Sequence, residues 1–118
     1  MVKRKLAIPV PEKAIKKNII VALQSWGITA WSMYTGGIPC RAGRNGIIMR
    51  PNPARGIADI IGVLSDGVFL AVEVKTATGR QSDVQKIFQE KLEAKNGLYI
   101  LARSVADVKI ELSNRGYL

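Results

Sequence analysis

Apolar residues recur along the chain first with a helical period and then with that of strands. Ile15, Ile19, Ala22, Leu23 and Trp26 share one face at helical spacing. Pro11 suits a first turn and Gly27 a C-terminal stop, which predicts an amphipathic helix over 11–26. Ile28 to Tyr34 holds strand-forming residues, and Gly36-Gly37-Ile38-Pro39 breaks that pattern. Residues 40–56 contain three Gly, two Pro and four Arg, and are expected to form a long basic loop around a short apolar piece, Ile47-Ile48-Met49.

Ala58 to Leu64 and Val68 to Thr76 both read as strands, joined by Ser65-Asp66-Gly67 as a tight hairpin turn. Ser82-Asp83-Val84-Gln85 fits a capping box and opens a helix whose expected apolar face is Val84, Ile87, Phe88 and Leu92. Gly97 ends that helix, and Leu98 to Ala102 is a short apolar strand. Ser104 with Asp107 then opens a last helix that runs to about Asn114, with Gly116 beyond it.

The expected order is α-β-β-β-α-β-α. The two middle strands are apolar on both faces, so they belong at the centre of a sheet covered by helices on both sides. There is no internal repeat, no low-complexity tract and no domain boundary, and 118 residues suit one core. One α/β domain is expected over 1–118, with residues 1–10 as a basic N-terminal arm.

Charge adds a partner class to this picture. Eighteen Lys and Arg face nine Asp and Glu, a formal net charge of +9. The excess is uneven: no carboxylate lies between Lys13 and Ala58, whereas Lys13, Lys16, Lys17, Arg41, Arg44, Arg50 and Arg55 all do. Such asymmetry is the electrostatic footprint of a nucleic-acid binder. An anionic membrane surface, or a merely solvated basic face, is the alternative. No run approaches the ~20 apolar residues of a membrane span. The opening, Met1 to Pro11, has a basic start but no long apolar run of the kind a signal peptide carries, and a cytosolic protein is expected.

Composition also removes chemistries. The chain has no histidine and a single cysteine, Cys40. Ser-His-Asp triads, Cys-His pairs, intrachain disulfides and thiolate zinc clusters are therefore excluded. A catalytic metal would have to sit on oxygen ligands, which points to Mg²⁺ or Mn²⁺.

Three polar side chains interrupt the apolar strands. In Val68 to Thr76, Val72 and Val74 face one way while Ala71, Glu73 and Lys75 face the other. With the turn centred near Asp66, Asp59 of the preceding strand comes close to Glu73. Two neighbouring carboxylates in apolar surroundings repel, and one pKa rises unless a cation sits between them. A divalent ion resolves the conflict. The alternative is an edge strand with a wet polar face, on which Glu73 and Lys75 form an ordinary ion pair.

Gly56-Ile57-Ala58-Asp59-Ile60-Ile61-Gly62, then Glu73-Val74-Lys75-Thr76, then Gly79-Arg80-Gln81-Ser82 with Gln85, resembles the VRR-NUC domain of the PD-(D/E)XK nuclease superfamily. The match runs from Ala54 to about Val108, with weaker agreement back to the first helix. Its motifs are specific as a set and weak singly. The resemblance implies a restriction-endonuclease-like α-β-β-β-α-β core with a central mixed sheet flanked by helices. It implies a Mg²⁺ or Mn²⁺ site formed by Asp59, Glu73 and the main-chain carbonyl of Val74, with Lys75 as catalytic lysine.

In the same comparison Gln85 matches the glutamine that follows the E-x-K strand, and its other role is the capping box. Glu12 matches the position of an extra acid near the metal in many superfamily members, and is equally an ordinary first-turn acid. The superfamily's name-giving Pro is Ala58 here, a position that contributes no ligand. Relatives of this kind occur fused to larger repair nucleases or as small stand-alone proteins of phages and bacteria. The stand-alone ones resemble homodimers that cut branched DNA, four-way (Holliday) junctions in particular.

The expectation is a metal-dependent endonuclease acting on DNA, with Arg41, Arg44, Arg50, Arg55, Arg80 and Gln81 against the substrate. A non-catalytic basic binding protein is the competing class, and flaps, nicked or plain duplex DNA the competing substrates. Trp31, Met33 and Tyr34 are read first as core residues, with a dimer seam as their alternative.

Overall fold

A computed structural model describes residues 10–118; apart from Val10, the expected basic arm lies outside the described residues. Helix α1 spans Glu12–Ser25 and follows Pro11, whose extended backbone makes it the N-cap rather than a helical residue. Strand β1 is Thr29–Ser32, followed by β2 (Ile38–Ala42), β3 (Gly46–Arg50), β4 (Ile60–Val63) and β5 (Phe69–Val74). Helix α2 (Asp83–Ala94), strand β6 (Leu98–Ala102) and helix α3 (Val105–Asn114) complete the chain.

Four strands form a mixed sheet in the order β1-β4-β5-β6, antiparallel except for the β5–β6 pair. The two strands that are apolar on both faces, β4 and β5, are central, as their composition requires. On one face, Ile15, Ile19 and Leu23 of α1 and Val108 and Leu112 of α3 pack on Ile60, Leu70, Val72, Val74 and Ile100. On the other, Phe88 and Leu92 of α2 cover Ala58, Ala71 and Tyr99. The architecture is a mixed α/β sandwich with helices on both sides of the sheet.

The structure corrects three expectations. Residues 40–56 are not one long loop: β2 and β3 pair as an antiparallel hairpin, from Ile38 opposite Arg50 to Ala42 opposite Gly46. This adds two strands to the expected order. Strand β1 is shorter than the 28–34 run; Trp31 within it is 53% and Tyr34 beyond it 66% exposed, so neither is a core residue, and Met33 is half-buried. Ile87 stands 50% exposed, off the face by which α2 docks. The alternative of a wet edge strand is removed, because Glu73 is 1% exposed on the central strand β5.

Candidate metal centre and nucleic-acid interface

The site forms where the C-terminal end of β5 meets the start of α2. Alternation along β5 sends Val72 and Val74 into the α1/α3 core and turns Ala71 and Glu73 toward α2. The β4–β5 register sets Ile60 opposite Val72, which leaves Asp59, one residue earlier, beside Glu73.

Asp59 is held at both ends. Its carbonyl accepts from the Met33 amide at 2.7 Å, and its Oδ2 accepts from the Val74 amide at 2.8 Å. Just upstream, Gly56 adopts φ +88°, and a Cβ there would stand 3.1 Å from Val84 of α2. Only glycine satisfies both constraints, so the chain reaches Asp59 pressed against the helix.

Glu73 is the one buried charged side chain among the described residues. Its Oε1 accepts from Gln85 Nε2 at 2.8 Å and lies 3.7 Å from Lys75 Nζ. Its Oε2 is buried with no hydrogen-bond partner among the described residues. Gln85 serves two purposes at once. Its Oε1 accepts from the Ser82 amide at 2.8 Å, and its own amide is capped by Ser82 Oγ, so the capping box is complete and aims Nε2 at Glu73.

Glu12, the first residue of α1, closes the group. Carboxylate oxygens of Glu12, Asp59 and Glu73 lie within 4.8 Å of one another. Burial, reinforced by the adjacent Asp59 carboxylate, pushes the Glu73 carboxyl up to about 8 despite the pull of Lys75. An orphaned buried oxygen inside a cluster of hard oxygen donors fits a divalent cation such as Mg²⁺ or Mn²⁺. The donor set lacks the nitrogen and sulfur ligands that favour zinc or copper.

The predicted substrate residues fall into two groups. Arg41, Arg44, Arg50, Arg55 and Arg80 are exposed, the first three on the β2–β3 hairpin. Gln81 instead spends its amide hydrogens inside the protein, on Gln89 Oε1 at 2.8 Å and the Tyr99 hydroxyl at 3.0 Å. It braces the start of α2 against β6. Lys16, counted above in the basic run, also turns inward and donates to the Met33 carbonyl at 2.7 Å.

Sequence reasoning missed Arg103. Its Nη1 donates to the carbonyl of Thr76 and, at 2.8 Å, to that of Gly79. With the Lys75 amide bonded to the Ala102 carbonyl at 2.9 Å, this clamps the segment that carries Lys75. A lone arginine after an apolar strand gives no sequence signal of such contacts.

A solved structure described as a VRR_NUC domain superposes on this chain with a TM-score of 0.62, covering 90% of this chain and 97% of its own, at 19% identity. The chain has a VRR_NUC fold. No family model and no curated protein matches it by sequence. The shared fold agrees with the expected central mixed sheet flanked by helices, and in this chain the β2–β3 hairpin lies between β1 and β4. Among the described residues no helix is long and apolar enough to cross a membrane.

Proposed function

We propose that this protein is a metal-dependent endonuclease that hydrolyses phosphodiester bonds in DNA. The observation that carries this reading is the buried Glu73, packed against Asp59 and Glu12 with one oxygen unpartnered and Lys75 beside it. Burying such a carboxyl costs stability, and acids perturbed in this way concentrate at functional sites.

Asp59, Glu73 and the Val74 main-chain carbonyl would hold the ion, with Glu12 as an additional acid. When bound, Mg²⁺ or Mn²⁺ supplies Lewis acidity toward the phosphate and eases deprotonation of the attacking water. Lys75 orients that water and offsets the negative charge that develops on the phosphate oxygens. Gln85 keeps Glu73 turned inward by donating to Oε1. The exposed arginines hold flanking phosphates and position the nucleic acid without reading sequence.

The substrate we favour is branched DNA, four-way junctions in particular, cut by a homodimer. A symmetric junction requires two opposed cuts, which a two-fold dimer supplies. Trp31 and Tyr34, exposed beside the β1 edge of the sheet, are the surface we assign to that pairing.

The test is a cleavage panel of labelled four-way junctions, flaps, nicked duplex, plain duplex and single strands. Cutting that requires Mg²⁺ or Mn²⁺, stops with EDTA and favours junctions is the expected result. Salt-dependent binding without a single nick, even with Mn²⁺, would leave only a basic binding protein.

A further inference from the structure

The chemistry above uses the arginines of the β2–β3 hairpin and leaves its apolar side chains without a role. All five residues of β3 are exposed, including Ile47 at 75% and Met49 at 62%. A two-stranded hairpin is marginal in water by itself, and an apolar one in the open is a surface awaiting a partner. Its register places Ile47 opposite Arg41 and Met49 opposite Pro39 on one face, and Ile38 opposite Arg50 on the other. Apolar and cationic side chains are therefore interleaved, with Arg44 at the turn.

Charge decides which partner fits. The hairpin carries three arginines and no carboxylate, and none occurs anywhere between Lys13 and Ala58. Two such arms laid together would oppose like charges, whereas a nucleic-acid groove offers phosphates on both sides and base edges between them. Hydrogen bonds fix the arm's base. Asn52 Nδ2 donates to the Tyr34 carbonyl at 2.8 Å, joining the two ends, and the preceding residue, Met33, is the one bonded to Asp59. The arm thus rises from the segment that positions a site carboxylate.

We propose that this hairpin is a basic ribbon that enters DNA and wedges Ile47 and Met49 between bases. The idea rests on the nuclease reading and names the device that selects the substrate. Apolar wedges must unstack a base step, and that costs least where pairing is already broken, at a junction or flap. Phosphate contacts by Arg41, Arg44 and Arg50 attract every duplex; the wedge favours branched ones.

The test uses the full chain with Glu73→Gln and EDTA, so that cutting does not interfere, and 2-aminopurine placed beside a branch point. Binding raises the fluorescence of the unstacked base with the native hairpin. Ile47→Ser with Met49→Ser removes that rise, and Ile47→Leu with Met49→Leu retains it. In the cleaving chain, the Ser pair lowers the ratio of junction to plain-duplex cutting by at least about ten-fold, because unstacking one base step costs a few kcal/mol.

Unchanged fluorescence in the Ser pair overturns the proposal, as does loss of the signal in the Leu pair. A Ser pair that halves the mass seen by light scattering also overturns it and assigns the hairpin to a second copy of the chain. A native chain that cuts no DNA removes the nuclease reading. A cutting chain indifferent to Ile47 and Met49 removes only the wedge.

Discussion

The Val74 amide donates to Asp59 Oδ2 at 2.8 Å, which ties a carboxylate of one strand to the backbone of the next and holds it against Glu73. The hairpin register keeps the two acids together although they repel. The energy for this comes from apolar burial around them, where Ile60, Leu70, Val72 and Val74 are all fully enclosed.

Substitution should separate stability from activity. We expect Glu73→Gln and Lys75→Ala each to lower cleavage by at least about 10²-fold, the scale of losing one preorganised charge. Junction affinity in a gel-shift assay should stay close to that of the native chain. Glu73→Gln should also raise the melting temperature of the metal-free protein at pH 8, since a neutral amide replaces a carboxylate that burial disfavours.

Stability should follow pH with a definite sign. The Glu73 carboxyl stands at 4.5 in its ordinary state and at about 8 in the fold, so the native state holds a proton that the unfolded chain releases. The contribution is complete below about 4.5 and is lost as pH rises through about 8. Melting in EDTA should therefore show stability falling across that window, by an amount on the order of a few kcal/mol. The Glu73→Gln chain should give a flatter profile, and added Mg²⁺ should restore stability at the alkaline end.

The two roles of Gln85 can be pulled apart. Ser82→Ala removes the hydroxyl that caps α2 but leaves the Gln85–Glu73 bond, whereas Gln85→Ala keeps that hydroxyl cap and removes the side-chain half of the capping box together with the bond to Glu73. Each should lower stability by about 1 kcal/mol, as lost caps do. Only Gln85→Ala should also reduce cleavage, by roughly 10- to 100-fold, as loss of a partner that orients a metal ligand does. Equal activity in the two variants would make Gln85 a cap and nothing more.

Much of the site is legible in the sequence because strand geometry is local. Ser65-Asp66-Gly67 fixes the turn, the turn fixes the register, and period-two alternation then brings Asp59 to Glu73 and turns Lys75 the same way. The capping box is equally local. By contrast, that Glu12 reaches these acids depends on how α1 docks on the sheet, and nothing near residue 12 encodes it. Arg103 reaches carbonyls 24 and 27 residues away in sequence, with no periodic trace.

The hairpin escapes for another reason. Gly, Pro and Arg dominate residues 40–56, and Ile47-Ile48-Met49 is apolar on both faces, so neither period appears. Trp31 and Tyr34 mislead in a related way. Apolarity says that a side chain is to be covered, not that its own chain covers it.

Electrostatics should be readable in the salt dependence of binding. Replacing Arg41, Arg44 and Arg50 one at a time with Ala should weaken affinity for all DNA forms. Each loss should reduce the slope of log affinity against log salt by about 0.9, the value for one phosphate contact on duplex DNA. An unchanged slope for all three would remove the hairpin from the interface.

The most direct measurement is anomalous scattering from crystals soaked in Mn²⁺. A peak between the carboxylates of Asp59 and Glu73, absent from the Glu73→Gln protein, is the expected result. An empty map there at saturating Mn²⁺, with Glu73 still buried and Asp59 still bonded to Val74, would contradict a metal centre and with it the proposed chemistry.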